Sequence, residues 1–179
     1  MKVQNAKPKN RSHIKSVWLI IALLFISVCG KAQDEPFPFK AGSEAMTKFF
    51  KDSLTISPDM MARKAAGTVV LKFSADANGG ISRMIVYYAD DVSLVQPVVD
   101  ALHKSNHLWT VPANHKLYDY LISFTISFNR PDSASSDLKE KFYKFHAQRR
   151  QITANNEVPL GQVTLLPNVI ITYDVKNQD

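Results

Sequence analysis

GTVVLKFSADANGGISRMIVYYADDVSLVQPVVDALHKSNHLWTVPANHKLYDYLISFTISFNR, residues 67–130, carries two strand patterns, a helical one and a third, long strand pattern in succession. In 68–75, Val69, Leu71 and Phe73 share one face and Val70, Lys72 and Ser74 the other, which is the two-residue period of a strand. Asp76-Ala77-Asn78-Gly79-Gly80 is a turn with two glycines free to take positive φ. Residues 81–88 return as a second strand, with Ile81, Ile85 and Tyr87 expected on one side, and so short a connection makes an antiparallel hairpin. Asp90 or Asp91 is placed to cap a helix that runs to about Ser105, with Leu94, Val95, Val98, Val99 and Leu102 as its apolar stripe. Pro97 is tolerable only near the first turn, so regular helix is expected from near Ser93. In 117–130, Tyr118, Tyr120, Ile122, Phe124, Ile126 and Phe128 alternate with Asp119, Leu121, Ser123, Thr125, Ser127 and Asn129. A long strand with one apolar and one mostly polar face belongs to a sheet covered on one side. Helices gathered on one face of a mainly antiparallel sheet make an α+β domain.

Upstream of this stretch, Pro36 and Pro38 impose an extended segment over 33–42, which Phe37 and Phe39 would pin to the domain. Ser43 is a candidate cap for a short helix, EAMTKFFKDSL, in which Ala45, Met46, Phe49 and Phe50 recur at helical spacing. Ser57-Pro58 is a helix start, cap then proline at the first position, and PDMMARKAA should be a second short helix ended by Gly67.

The N-terminus reads differently. Residues 1–32 hold six of the 22 basic residues and no acid, leaving 16 basic against 16 acidic residues, so the positive balance belongs to the leader. It does not argue for a nucleic-acid partner. A basic start, an apolar core VWLIIALLFISVC and the small residues Gly30 and Ala32 make the pattern of a signal peptide over 1–32, cut before Gln33. The core is shorter than the roughly 20 residues of a spanning helix; the alternative is an uncleaved signal anchor. Cys29, the only cysteine, ends that core with Val28 before it, where a lipoprotein signal normally has a smaller residue. A chain cut after Ala32 has no cysteine, which excludes disulfides, thiol catalysis and cysteine-based zinc sites.

Candidate chemistry is sparse. His103 and His107 stand four apart at a helix end, without the third and fourth ligands a zinc site needs. Ser57, Ser74, His103, His107 and His115 can be arranged as a triad on paper, but no serine sits on a G-x-S-x-G elbow, and there is no phosphate loop or H-E-x-x-H. The expectation is a protein without catalysis, cofactor or metal.

Downstream, 131–179 is an extension: a turn-rich hinge PDSASSD, a basic aromatic helix over about 136–150 with Leu138, Phe142 and Phe145 on one side, and the apolar run VTLLPNVIITYDV, whose residues 168–175 read as a last strand. The basic face from Lys139 to Arg150 is a candidate for contact with an anionic membrane surface; the plainer alternative is a solvated face.

Pro58 with Ala62-Arg63, then GTVVLKF, a glycine turn followed by Ile81-Ser82, Trp109-x-x-Pro112-Ala113, and a long strand ending FTISFNR stand in an order that resembles the C-terminal domain of TonB, over about 36–130. The chain looks most like the small exported versions of that family in Bacteroidetes. It departs from the family pattern in 64–67, where a glycine is absent and the connection is one residue short, and at Ser57-Pro58, where the family often has Tyr-Pro. The resemblance implies a domain over 43–130 of hairpin, helix and third strand, with Pro58, Gly67, Gly79, Gly80, Trp109, Pro112 and Ala113 as fold motif. It implies a periplasmic protein-binding module, with an outer-membrane receptor or transport component as partner. By the same resemblance the partner segment would add along the third strand, near Leu121, Ser123, Thr125, Ser127 and Asn129. A secreted scaffold of the cell envelope is the alternative. The apolar tail suggests a further expectation: 169–175 folds back onto a free sheet edge and stands where a partner strand would.

Overall fold

The computed structural model describes residues 36–129, 136–154 and 161–174. The expected signal peptide, the hinge from 131 to 135 and the last residues of the chain lie outside the described residues. Along the chain come α1 (Gly42–Ser53), α2 (Pro58–Arg63), β1 (Gly67–Asp76), β2 (Ile81–Ala89), a 3-10 turn (Val92–Leu94), α3 (Val95–Lys104), β3 (Leu117–Asn129), α4 (Ser136–Gln148), β4 (Ile152–Thr153), β5 (Val163–Leu165) and β6 (Val169–Asp174). The architecture is α+β.

The sheet runs β4-β2-β1-β3-β5, with β6 also on β3. Its centre is antiparallel, β2-β1-β3. Both β5 and β6 lie parallel to β3, so the sheet is mixed. A parallel neighbour needs a long crossover, and the stretch between β3 and β5, which carries α4 and β4, supplies it. Pro167 separates the two edge strands because it lacks an amide donor for a continuous ladder.

One core joins the sheet to its helices. Val69, Leu71, Phe73 and Ala75 of β1 and Tyr120, Ile122, Phe124 and Ile126 of β3 meet Met46 and Phe50 of α1, Met60 of α2 and Leu94, Val98 and Leu102 from the helix after β2. Each such side chain removed from water contributes roughly 1.5–3 kcal/mol before entropy is counted. Trp109 is the hub, buried to 1% exposure, with Phe73 at 4.6 Å and Phe39 at 5.1 Å between ring centroids. Its indole N–H donates to Ser105 Oγ at 3.0 Å. The chain from Pro38 to Lys40 pins to it through an isolated bridge between Phe39 and Trp109 and flanking backbone bonds.

Local signals explain several starts and stops. The Ser57 hydroxyl accepts from the Met60 N–H at 3.2 Å, with Pro58 at the first helical position. Asp91 caps the turn before α3 by accepting from the Ser93 N–H at 2.9 Å. Regular helix begins at Val95, so Pro97 falls in the first turn, where its missing N–H is harmless.

Four readings are corrected. Ser43 does not cap α1: the helix begins at Gly42 after Ala41 in the left-handed region, and the Ser43 carbonyl accepts from Thr47 Oγ1. The second helix stops at Arg63, not at Gly67, because Lys64 takes a left-handed φ of 57° and turns its N–H back onto Met61 and Met60. Gly67 instead opens β1 where a Cβ would lie 2.7 Å from Asp90 Cβ. Only Gly79 of the turn pair has positive φ, 77°, and a Cβ there would meet the Trp109 carbonyl at 2.3 Å. Gly80 keeps an ordinary φ and donates its N–H to Asp76 Oδ1. On β2, Ile81, Met84 and Val86 pack on the core, not Ile85 and Tyr87. Two register shifts against β1, at Val70/Leu71 and Ser74/Ala75, insert extra residues and reverse the alternation.

Candidate functional site: the outer edge of β3

β3 pairs with β1 through ten successive partners, from Gly67↔Ile126 to Asp76↔Leu117, without a bulge. Its other edge is the candidate site. Within the described residues that edge is filled by the chain's own C-terminal segment. β5 pairs Asp119↔Val163 to Leu121↔Leu165, the Leu166 N–H donates to the Leu121 carbonyl at 2.8 Å, and β6 pairs Phe124↔Val169 to Asn129↔Asp174.

All five residues expected from the sequence lie along this edge. Leu121 holds the β5 end through its backbone. Ser123 Oγ donates to Asn168 Oδ1 at 3.1 Å, and Asn168 Nδ2 donates to Thr125 Oγ1 at 3.1 Å. Ser127 and Thr172 share a hydroxyl–hydroxyl bond of 3.2 Å. Asn129 Nδ2 donates to the Asp174 carboxylate. Thus the polar row of β3 faces a polar row on β6, while Val169, Ile171 and Tyr173 turn into the core. Ile170, 54% exposed, remains in solvent on the outer face.

Two contacts have no counterpart among the expectations from sequence. Asn168 bridges two β3 hydroxyls from a position before the strand. Tyr173 buries its hydroxyl and donates it to the Ala65 carbonyl at 2.9 Å. Burial pushes the phenol up to about 12. The one hint in the sequence is Pro167-Asn168 ahead of an alternating run.

On the polar face, near the start of β3, Asp119 joins the Lys72 ammonium at 2.8 Å and the Ser74 hydroxyl at 2.6 Å. Burial acts to raise this carboxyl, but the bonds from Lys72 and Ser74 outweigh it and hold it below the ordinary range. Ser74 is therefore engaged with Asp119 and Ser57 with a helix start. His107 occupies a left-handed turn and His115 lies edge-on to Tyr118. Among the described residues no three His, Cys, Asp or Glu side chains gather to hold a metal.

α4 presents its aromatic side inward. Leu138 and Phe145 are buried and the Phe142 ring stands 5.8 Å from Phe128. Lys139, Lys144 and Arg150 stay exposed, with Tyr143 as the exposed aromatic. The segment leaves these basic side chains in solvent and keeps Phe142 and Phe145 for the domain. Among the described residues no helix is long and apolar enough to cross a membrane. A pocket of about 300 Å³ between α2 and α4 is lined by Arg63, Lys141, Lys144, Asp91 and Phe145.

Compared with models of known protein families, with curated proteins and with solved structures, the chain has no match.

Proposed function

We propose that this chain is an exported, non-enzymatic protein-binding module of the TonB C-terminal type, which takes up an extended segment of an envelope partner by strand addition along β3 and serves outer-membrane transport. The observation that carries this reading is that the β3 edge, on the side of Leu121, Ser123, Thr125, Ser127 and Asn129, is built to hold an added strand: it holds two from its own tail, in parallel register. Main-chain ladders of this kind supply affinity, and alternate side-chain positions supply selectivity. The motif order from Pro58 to the end of β3 supports the family assignment.

Photo-crosslinking in the native host tests the reading, with the reactive group placed at Thr125 or Ser127 and a control at Arg83 on β2. Crosslinks from β3 to an outer-membrane or transport protein, absent from Arg83, are expected. Equal labelling from both strands, or none to an envelope protein, would overturn it.

The filled edge favours one second reading, a scaffold domain of the cell envelope in which β5 and β6 are permanent strands with no transport role. In that case β3 would stay uncrosslinked even when transport substrates are supplied.

A further inference from the structure

β6 makes two kinds of contact with the edge. Val169 faces the core opposite Phe124, and Ile171 opposite Ile126, at 0% and 5% exposure. Any segment with alternating apolar residues would satisfy those positions. The ends of the segment are more demanding. At its start the Asn168 amide oxygen accepts from the Ser123 hydroxyl at 3.1 Å and from the Thr125 hydroxyl at 3.3 Å, and its nitrogen is 3.1 Å from Thr125 Oγ1. A carboxylate could accept from both hydroxyls, whereas an aliphatic residue could bond neither.

At its finish Tyr173 enters a socket made by the connection between α2 and β1. Its ring lies 6.0 Å from Phe128, and its hydroxyl meets the Ala65 carbonyl at 2.9 Å, with the Met60 carbonyl at 3.4 Å. The left-handed turn at Lys64 makes the socket. It folds the Lys64 and Ala65 N–H groups back onto Met61 and Met60, and leaves the Ala65 carbonyl aimed at the incoming phenol just before β1 begins. This is the same 64–67 connection that departs from the TonB pattern. Phenylalanine would fill the space and leave a buried carbonyl without its donor, a loss larger than that of an exposed hydrogen bond.

We propose that the β3 edge together with the Lys64–Gly67 connection selects an extended partner segment that runs parallel to β3 and reads Asn/Asp-apolar-any-apolar-any-Tyr, and that β6 with Asn168 is a built-in copy of that ligand which the partner must displace. This rests on the strand-addition reading of β3. A tethered strand competes at an effective concentration on the order of millimolar. A partner segment with micromolar intrinsic affinity is then bound about a thousandfold more weakly than to an open edge. Productive binding needs a partner held close, or a weakened tail.

The test uses the full chain in two forms, wild type and the double variant Asn168→Ala with Tyr173→Phe, which loosens the tail at its two selective contacts without emptying the core. The probes are fluorescent peptides of the sequence LPNVIITYD, one intact, one with Phe for Tyr and one with Ala for Asn. Binding is read by anisotropy, and the docking place by hydrogen exchange of β3. The intact peptide is expected to bind the double variant at least about tenfold more tightly than wild type. The Phe peptide should bind that variant about fivefold to tenfold more weakly than the intact one. Equal binding of intact and Phe peptides, both protecting β3, would sink the tyrosine code and leave strand addition standing. A folded double variant in which no peptide protects β3 would sink both.

Tyr173→Phe alone gives an independent arm. Amide exchange in β6 and in the facing half of β3 should speed up by about fivefold while β1 and β2 are unchanged. Unchanged exchange in β6 would show that the socket does not hold the strand and would overturn the proposal.

Discussion

The two flanks of the central β1 strand are built differently. Toward β2 the pairing breaks register twice, and beyond β2 the short β4 adds only Tyr88↔Thr153 and Ala89↔Ile152. Toward β3 the pairing is continuous for ten residues, and beyond β3 a further nine register pairs come from β5 and β6. Bulges twist an edge and spoil it as a template, and an exposed charge such as Arg83 does the same. A long regular strand with half-buried serine and threonine has no such protection, so it must be covered or used. The β2 side is defended by irregularity and the β3 side by occupancy, which is why the candidate site lies on the latter.

The sharpest way to break that contrast is to place a charge under each cover strand. Val169→Asp puts a carboxylate where exposure is 0%, and should cost about 3–5 kcal/mol in chemical denaturation, with fast exchange along β3. Ile152→Asp on half-buried β4 should cost about 1 kcal/mol or less. Equal losses would mean that the two edges are covered alike.

A smaller effect belongs to Tyr173. Its folded value lies above the unfolded 10.0, at about 12. The stability it contributes is therefore complete below pH 10 and is lost as pH rises toward 12, at about 2–3 kcal/mol in all. Tyr173→Phe should flatten the alkaline limb of a stability profile measured between pH 9 and 12. A limb as steep as wild type would place the alkaline sensitivity outside the β6 cover.

Asp119 acts at the other end of β3, with the opposite sign. Its folded value lies below 3.8, so its contribution is present above that pH and is lost as pH falls through the lowered value. Asp119→Asn should cost about 1 kcal/mol at neutral pH, allowing for solvent screening of a partly exposed pair, and should lessen the acid dependence seen in thermal unfolding below pH 4. An unchanged acid limb would remove Lys72–Asp119 from the account.

The smallest change in stability is expected at Arg83→Val on β2, under about 0.5 kcal/mol, since Arg83 is exposed. Its effect should appear as concentration-dependent association in sedimentation velocity, because an edge charge has been exchanged for a β-former. A monomer at all concentrations would show that the bulges alone protect that side.

Much of this edge is legible in the amino-acid sequence. The alternation of β3 is strong enough that its core face and its polar row, with Leu121, Ser123, Thr125, Ser127 and Asn129, follow from parity alone; the use of its outer edge by an added strand is implied only by the family resemblance. The fold-back of the tail is legible too, since apolar β-branched residues do not stay in water. Its direction is not, and its edge follows only from the family resemblance that puts a partner strand on β3. Parity on β2 fails because a bulge is a property of a strand pair, and nothing in ISRMIVYYA marks where its partner skips. The tyrosine socket is hidden for the same reason: Tyr173 and Ala65 are 108 positions apart, and a carbonyl acceptor carries no side-chain signature.

Local events are readable in the chain alone: the Ser57-Pro58 helix start, a helix start at Asp90 or Asp91, the place of Pro97 in a first turn, the hairpin, and the inward and outward faces of β1 and β3. These depend on interactions within a few residues or on the fixed period of a strand. The packed fold settled that the C-terminal strand runs parallel, how β2 shifts its register, and that Lys64 turns the Ala65 carbonyl toward Tyr173. Those outcomes depend on pairings between segments tens of residues apart, where a ladder, a packed core and a buried donor must be satisfied together.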